Sequence, residues 1–125
     1  MVKIFIVDDD QSLQRLYTLI LKEAGFEIID TAFNGKIAVE KYKNFQTKPD
    51  IILMDHRMPI KNGLDAMMEI LKINDHENII FASADITIKE KALSSGACAF
   101  INKPFNMKKL LMTIKEVINQ LVVER

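Results

Sequence analysis

Five short apolar runs alternate with five amphipathic stretches along this chain, and that alternation limits the folds open to it. The runs are residues 2–7, 27–31, 50–54, 78–82 and 98–102. Most are nearly all aliphatic or β-branched, the pattern of strands covered on both faces of a sheet. The intervening stretches repeat at helical spacing. Leu13, Leu16, Tyr17, Ile20, Leu21 and Ala24 share one face, and Gly25 follows as a stop. Ala38, Tyr42 and Phe45 mark a second helix after Asn34-Gly35. Leu64, Met67, Met68 and Leu71 mark a third after Asn62-Gly63. A fourth runs from about Ile86 to Ser95 and stops at Gly96. The last carries Leu110, Leu111, Ile114, Val117, Ile118, Leu121 and Val122, with Asn106 as its N-cap. About five strand-helix units in succession predict a doubly wound α/β domain. No composition break or linker interrupts residues 1–125, so they read as a single domain.

Composition removes several classes of function. Lysine and arginine number 17, as do aspartate and glutamate, so there is no basic excess of the kind that marks a general nucleic-acid binder. Cys98 is the only cysteine, which rules out an internal disulfide and suits a reducing, cytoplasmic setting. No apolar run approaches the roughly 20 residues of a membrane helix, and no signal-peptide pattern opens the chain, so membrane insertion is not expected. Cys98 reads as a small buried hydrophobe, and His56 and His76 as residues of exposed loops. Met58, Met67 and Met68 read as packing.

In a sheet of this class, ligands bind beyond the carboxyl ends of the strands. Asp8, Asp9 and Asp10 follow the first apolar run, Asp55 the third and Ser83 the fourth. Lys103 and Pro104 follow the fifth. Carboxylates gathered in one crevice repel and call for a cation. A carboxylate can accept a phosphoryl group if it is positioned for in-line attack and the phosphoryl charge is neutralised. Each part has a candidate. Asp55 is the acceptor, Asp8 and Asp9 hold a metal, Lys103 supplies a point charge and Ser83 a hydroxyl. Asp10 is assigned to the N-cap of the first helix.

These residues carry a resemblance. Val7-Asp8-Asp9, Asp55-His56-Arg57-Met58-Pro59 with Asn62-Gly63, Ser83-Ala84, Gly96-Ala97 and Lys103-Pro104-Phe105 stand in the order and spacing of a two-component response-regulator receiver domain. The chain resembles the stand-alone, chemotaxis-regulator type over essentially its whole length. The resemblance implies a flavodoxin-like, five-stranded parallel sheet of order 2-1-3-4-5 with five helices. It implies that Asp55 accepts a phosphoryl group from a sensor histidine kinase, a histidine phosphotransferase or a small phosphodonor. Asp9 and Asp55 would ligate Mg²⁺ (or Mn²⁺) directly, Asp8 through water, with the backbone carbonyl of Arg57 as a further ligand. Ser83 and Lys103 would contact the phosphoryl oxygens, and the Lys103–Pro104 peptide would be cis. On phosphorylation Ser83 would move and Phe100 turn inward. The face made by the fourth helix, fifth strand and fifth helix would then change its affinity for a downstream protein. Catalysis would extend only to the chain's own phosphotransfer and autodephosphorylation.

Three positions depart from the usual pattern. Phe100 stands where tyrosine is frequent, Ser83 where threonine is commoner, and Arg57 where smaller polar residues occur. Arg57 and Asp85 flank the site two residues after Asp55 and Ser83, and their opposite charges predict a pair across the mouth that slows water attack. One alternative stays open: a phosphorelay intermediate would use the same site to pass the group onward to a histidine phosphotransferase. Other functions fit less well. An aspartate-nucleophile phosphatase would show D-x-D-x-T, where this chain has Asp55-His56-Arg57-Met58 and little room for a substrate cap. A nucleotide-binding module would need a glycine-rich loop in place of Asp8-Asp9-Asp10. A pseudo-receiver that only binds partners would not need Asp9, Asp55 and Lys103 together.

Overall fold

A computed structural model describes the backbone of residues 1–124 and the side chains through Leu121. Val122, assigned above to the apolar stripe of the last helix, has its side chain outside the described residues. In chain order the elements are β1 (Lys3–Val7), α1 (Gln11–Glu23), β2 (Glu27–Ala32), α2 (Gly35–Asn44) and β3 (Ile51–Asp55). Then follow α3 (Gly63–Ile73), β4 (Ile79–Ser83), α4 (Lys89–Ser94), β5 (Ala99–Asn102) and α5 (Met107–Glu124). The strands form one sheet in the order β2-β1-β3-β4-β5, every pair parallel. This is the flavodoxin-like order expected.

Strand side chains alternate between faces, and the central strands are apolar on both. Ile4 and Ile6 of β1, Ile51 and Leu53 of β3, Ile80 and Ala82 of β4, and Ile101 of β5 pack on one side. There they meet Tyr17 and Leu21 of α1 and Leu110, Ile114 and Val117 of α5. The alternate residues Phe5, Val7, Ile52, Met54, Ile79 and Phe81 pack on the other side against α2, α3 and α4. This parity carries past the strand ends. Asp8, Asp55 and Lys103 continue the α1–α5 side, whereas Ser83 continues the opposite one.

Several sequence expectations shift. Strands β3 and β4 run one residue further than their apolar runs, so Asp55 and Ser83 end strands instead of following them. Their backbones still pair, Asp55 with Ala82 and Ser83 with Asn102. The buried stripe of α1 is Gln14, Tyr17 and Leu21, and Leu16 turns outward, 43% exposed. The fourth helical stretch is split between a 3₁₀ turn at Ile86–Ile88 and the short α4. Cys98 is exposed, not buried, because it leads into β5, an edge strand. Asn106 does cap α5: its side chain accepts from the Lys109 amide at 2.8 Å. Among the described residues, no helix is long and apolar enough to cross a membrane.

Two glycines allow the loops to close on the strand ends. A Cβ on Gly63 would lie 2.0 Å from the Asp55 carbonyl oxygen, and one on Gly35 would lie 2.4 Å from that of Lys61. The Gly63 amide donates to the His56 carbonyl at 2.8 Å, drawing the start of α3 under the end of β3. In the same loop Ile60 has φ 70°, a left-handed conformation that costs a β-branched residue about 1–2 kcal/mol. The segment from Asp55 to Gly63 is therefore both strained and tightly tied, as segments at functional sites often are.

Candidate functional site

The crevice at the carboxyl ends of β1, β3 and β5 follows from register. Val7 of β1 pairs with Met54 of β3, so Asp8 and Asp55 lie side by side just beyond. Strand β5 reaches them from across β4, and the Lys103 ammonium closes the group. Its Nζ donates to Asp8 Oδ2 and to Asp55 Oδ1, each at 3.0 Å. The peptide between Lys103 and Pro104 is cis. The Lys103 amide donates to the Ser83 carbonyl at 2.9 Å, which ties the lysine's backbone to the end of β4.

Asp8 and Asp55 are buried, 3% and 8% exposed, while Asp9 stands open to solvent. All three offer carboxylate oxygens within 4.8 Å of one another. Three carboxylates against one ammonium leave the crevice under-neutralised. Burial pushes the Asp55 carboxyl up to about 6, Asp8 and Asp9 add to the rise, and Lys103 offsets only part of it. Burial also works against the Lys103 charge, but the Asp55 and Asp8 carboxylates outweigh it and hold the ammonium above the ordinary lysine value. Hard oxygen donors, excess negative charge and one solvent-facing member suit a small divalent cation such as Mg²⁺ or Mn²⁺.

The remaining predicted residues surround this cluster. Asp10 caps α1: its Oδ1 accepts from the Leu13 amide at 3.1 Å, and its own amide donates to Asp8 Oδ1 at 2.9 Å. Ser83 is buried, 2% exposed, and its Oγ accepts from the Asp85 amide at 3.0 Å, which anchors it to the loop leading into α4. Arg57 Nη2 lies 3.9 Å from Asp85 Oδ2, with the arginine side chain 82% exposed. The Asp85 carboxylate is held below its ordinary value chiefly by Thr87, whose hydroxyl and amide both donate to it, with Arg57 a smaller influence. Phe100 is half-buried and stacks on Phe81, ring centroids 6.3 Å apart.

Two residues near the site were not identified from sequence. Gln14 is buried on α1, and its Nε2 donates to the carbonyls of Asp8 at 2.8 Å and Ala32 at 2.6 Å. A glutamine within an amphipathic pattern reads as surface, and nothing local distinguishes it. His56 was expected on an exposed loop. It is half-buried instead, with its ring 5.6 Å from that of Phe81. Its parity explains this, since residue 56 continues the side of β3 that packs on α2–α4. Burial lowers the His56 pKa, and its Nδ1 is buried without a hydrogen-bond partner among the described residues.

The family model described as the response regulator receiver domain matches residues 4–115. The chemotaxis protein CheY of Thermotoga maritima is 39% identical over 117 residues, covering 92% of this chain and 96% of that protein. That of Bacillus subtilis is 38% identical over 119 residues, covering 94% and 98%. Among solved structures, CheY from Borrelia burgdorferi in a CheX–CheY–BeF₃–Mg complex superposes with a TM-score of 0.89 at 34% identity, covering 94% of this chain and 89% of that one. A CheY-like receiver domain protein from Methanospirillum hungatei gives 0.91 at 27% identity, covering 100% and 99%.

Proposed function

We infer the function from one premise: the chain belongs to the response regulator receiver domain family. It acts as a phosphorylation-dependent switch with Asp55 as the phosphoryl acceptor. The observation that carries this reading is the buried Asp55 carboxylate, held 3.0 Å from Lys103 Nζ beside two further aspartates. A group kept in so costly a setting at the mouth of a parallel sheet has a chemical use. An Asp55 oxygen attacks the phosphorus of a phosphohistidine or of acetyl phosphate. The P–N or P–O bond breaks, and the donor leaves with the electron pair. Lys103 neutralises one phosphoryl oxygen, and the Ser83 hydroxyl donates to another once it turns from the Asp85 amide. Asp9 and Asp55 would hold a metal directly, with Asp8 as an outer partner and the Arg57 carbonyl as a further ligand. Mg²⁺ bound there would supply charge neutralisation and alignment of the phosphoryl group.

The donor is a sensor histidine kinase or histidine phosphotransferase in a reducing, cytoplasmic compartment. The output is a change of affinity on the α4–β5–α5 face, with Phe100 turning inward as Ser83 moves. Exposed apolar side chains on two of these elements, Leu93 of α4 and Met112 of α5, suit a protein partner. Incubation with acetyl phosphate and Mg²⁺ tests the reading. The chain is expected to gain one hydroxylamine-labile phosphoryl group per molecule, with none on Asp55→Asn and none after chelation of the metal. Equal labelling of Asp55→Asn would refute it, and sustained turnover of an unrelated phosphoester would indicate a phosphatase.

Arg57 and Asp85 set the lifetime of the phosphorylated state by narrowing the path for water. The pair is long at 3.9 Å and the arginine is open to solvent, so Arg57→Ala is expected to speed dephosphorylation by no more than about fivefold. The decay of the labelled protein after removal of acetyl phosphate measures this. An unchanged or longer lifetime contradicts the role.

A further inference from the structure

Lysine is a flexible point charge on a four-carbon stem, yet Lys103 Nζ sits 3.0 Å from two different carboxylates. Its backbone belongs to a loop between β5 and α5, so something must keep that loop at a set distance from Asp8. The inner face of α1 offers two contacts, three residues apart. Gln14, 4% exposed, holds the carbonyls of Asp8 and Ala32. Tyr17, also 4% exposed, stacks on Phe105 with ring centroids 5.9 Å apart and planes at 12°. Phe105 lies two residues after Lys103 and packs into the layer formed by α1 and α5. The Tyr17 ring borders the charged cluster as well. Burial raises its phenol above the ordinary value, and Lys103, Asp8 and Asp55 all act on it. One helix face therefore grips both sides of the crevice.

We propose that Tyr17 is a positioning residue for Lys103. Its ring, stacked on Phe105, ties the β5–α5 loop to α1, while Gln14 ties Asp8 to the same helix one turn earlier. The proposal rests on the receiver reading above and adds this chain's own means of placing the lysine. Because misplacing a reacting or stabilising group by about an ångström costs up to roughly a hundredfold in rate, the stack should govern phosphoryl transfer more than metal binding. Tyr17→Leu removes the ring and leaves every carboxylate in place. Tyr17→Phe removes only the hydroxyl and keeps the stack.

Three measurements test this. They are the limiting rate of labelling at saturating acetyl phosphate, Mg²⁺ affinity by calorimetry, and hydrogen exchange of the Lys103 amide in metal-free protein. For Tyr17→Leu we expect the limiting rate to fall about tenfold and Mg²⁺ affinity to stay within about twofold. The Lys103 amide should exchange faster while amides of β1 and β3 keep their protection. Phe105→Leu should reproduce these effects, and the double variant should add little, because both remove one contact. Tyr17→Phe should match the parent in all three. The proposal is overturned if Tyr17→Phe is as slow as Tyr17→Leu, if Tyr17→Leu keeps the parent rate, or if protection is lost evenly across the sheet. If the parent chain forms no adduct at all, the receiver reading fails, and the metal-free exchange contrast still decides the brace.

Discussion

In metal-free solution near neutral pH, Asp55→Asn is expected to be more stable than the parent chain by roughly 2–3 kcal/mol. Burial and the neighbouring aspartates raise the Asp55 carboxyl from 3.8 to about 6 in the folded protein. A raised acid binds its proton more tightly folded than unfolded. Stability therefore falls as pH rises from about 4 to about 6, and the full penalty persists above that range. Asparagine carries no such penalty. The two chains should be nearly equal at about pH 3.5, diverge through pH 5 and hold a constant difference above about pH 7. Glu77 is also raised by burial, to about 7, but it slopes in the same direction in both chains and cancels in the comparison. Thermal unfolding followed by circular dichroism should show a gap of roughly 6–10 °C at pH 7.5. Millimolar Mg²⁺ should narrow the gap by stabilising the parent through mass action. A less stable Asp55→Asn, or a gap that ignores pH, would contradict the electrostatic account. The expected result would also show that the acceptor carboxylate is retained at the expense of stability.

Lys103→Met is expected to have the opposite sign. It removes the one cation that, among the described residues, hydrogen-bonds to Asp8 and Asp55, whose side chains are just 4% and 10% exposed. Breaking a buried ion pair from one side typically costs about 3–5 kcal/mol, and proton uptake by the stranded carboxylates should hold the loss to about 3. The chemistry should suffer more. Removing one fixed donor from a developing anionic charge costs about 10²–10³ in rate, and labelling by acetyl phosphate should slow accordingly. The double variant Asp55→Asn with Lys103→Met separates the two roles. Much of the stability cost of Lys103→Met should vanish in the Asp55→Asn background, because one of the two stranded charges is already gone. Urea unfolding of the four chains measures the coupling. Strict additivity would mean that Lys103 stabilises the fold independently of Asp55, through its stem or through Asp8.

Much of this site was legible because its residues lie directly after apolar runs. A strand buried on both faces reads as an unbroken hydrophobic segment, so the first polar residue beyond it stands out. Asp8 and Lys103 were found that way, and Asp55 and Ser83 to within one residue. The residues that were missed had no such contrast. Gln14 has the composition of a helix surface and is buried only because two carbonyls at the ends of β1 and β2 meet above it. Tyr17 was visible as part of an apolar stripe, but its partner Phe105 lies on a distant loop. Cys98 was misread because its apolar neighbours do not reveal that β5 closes the sheet at an edge. The helix positions Leu16 and Met68 were placed inward by spacing alone, yet each is 43% exposed. A periodic pattern marks an apolar stripe but not how wide the surface covering it will be.

By itself the sequence determined the alternation of strands and helices, the apolar faces, the helix caps at Asp10 and Asn106, and the family motifs. These depend on side-chain periodicity and hydrogen bonding within a few residues. The tertiary structure decided that Lys103 sits 3.0 Å from both Asp8 and Asp55, contacts that span 95 and 48 residues of chain. It also decided that Asp55 is buried enough to resist ionisation, and that α1 holds both flanks of the crevice. The physical reason is a difference in range. Hydrophobic periodicity is written into neighbouring residues, whereas the distance between charges depends on strand register and on which helices cover which face, and no local segment of the chain contains either.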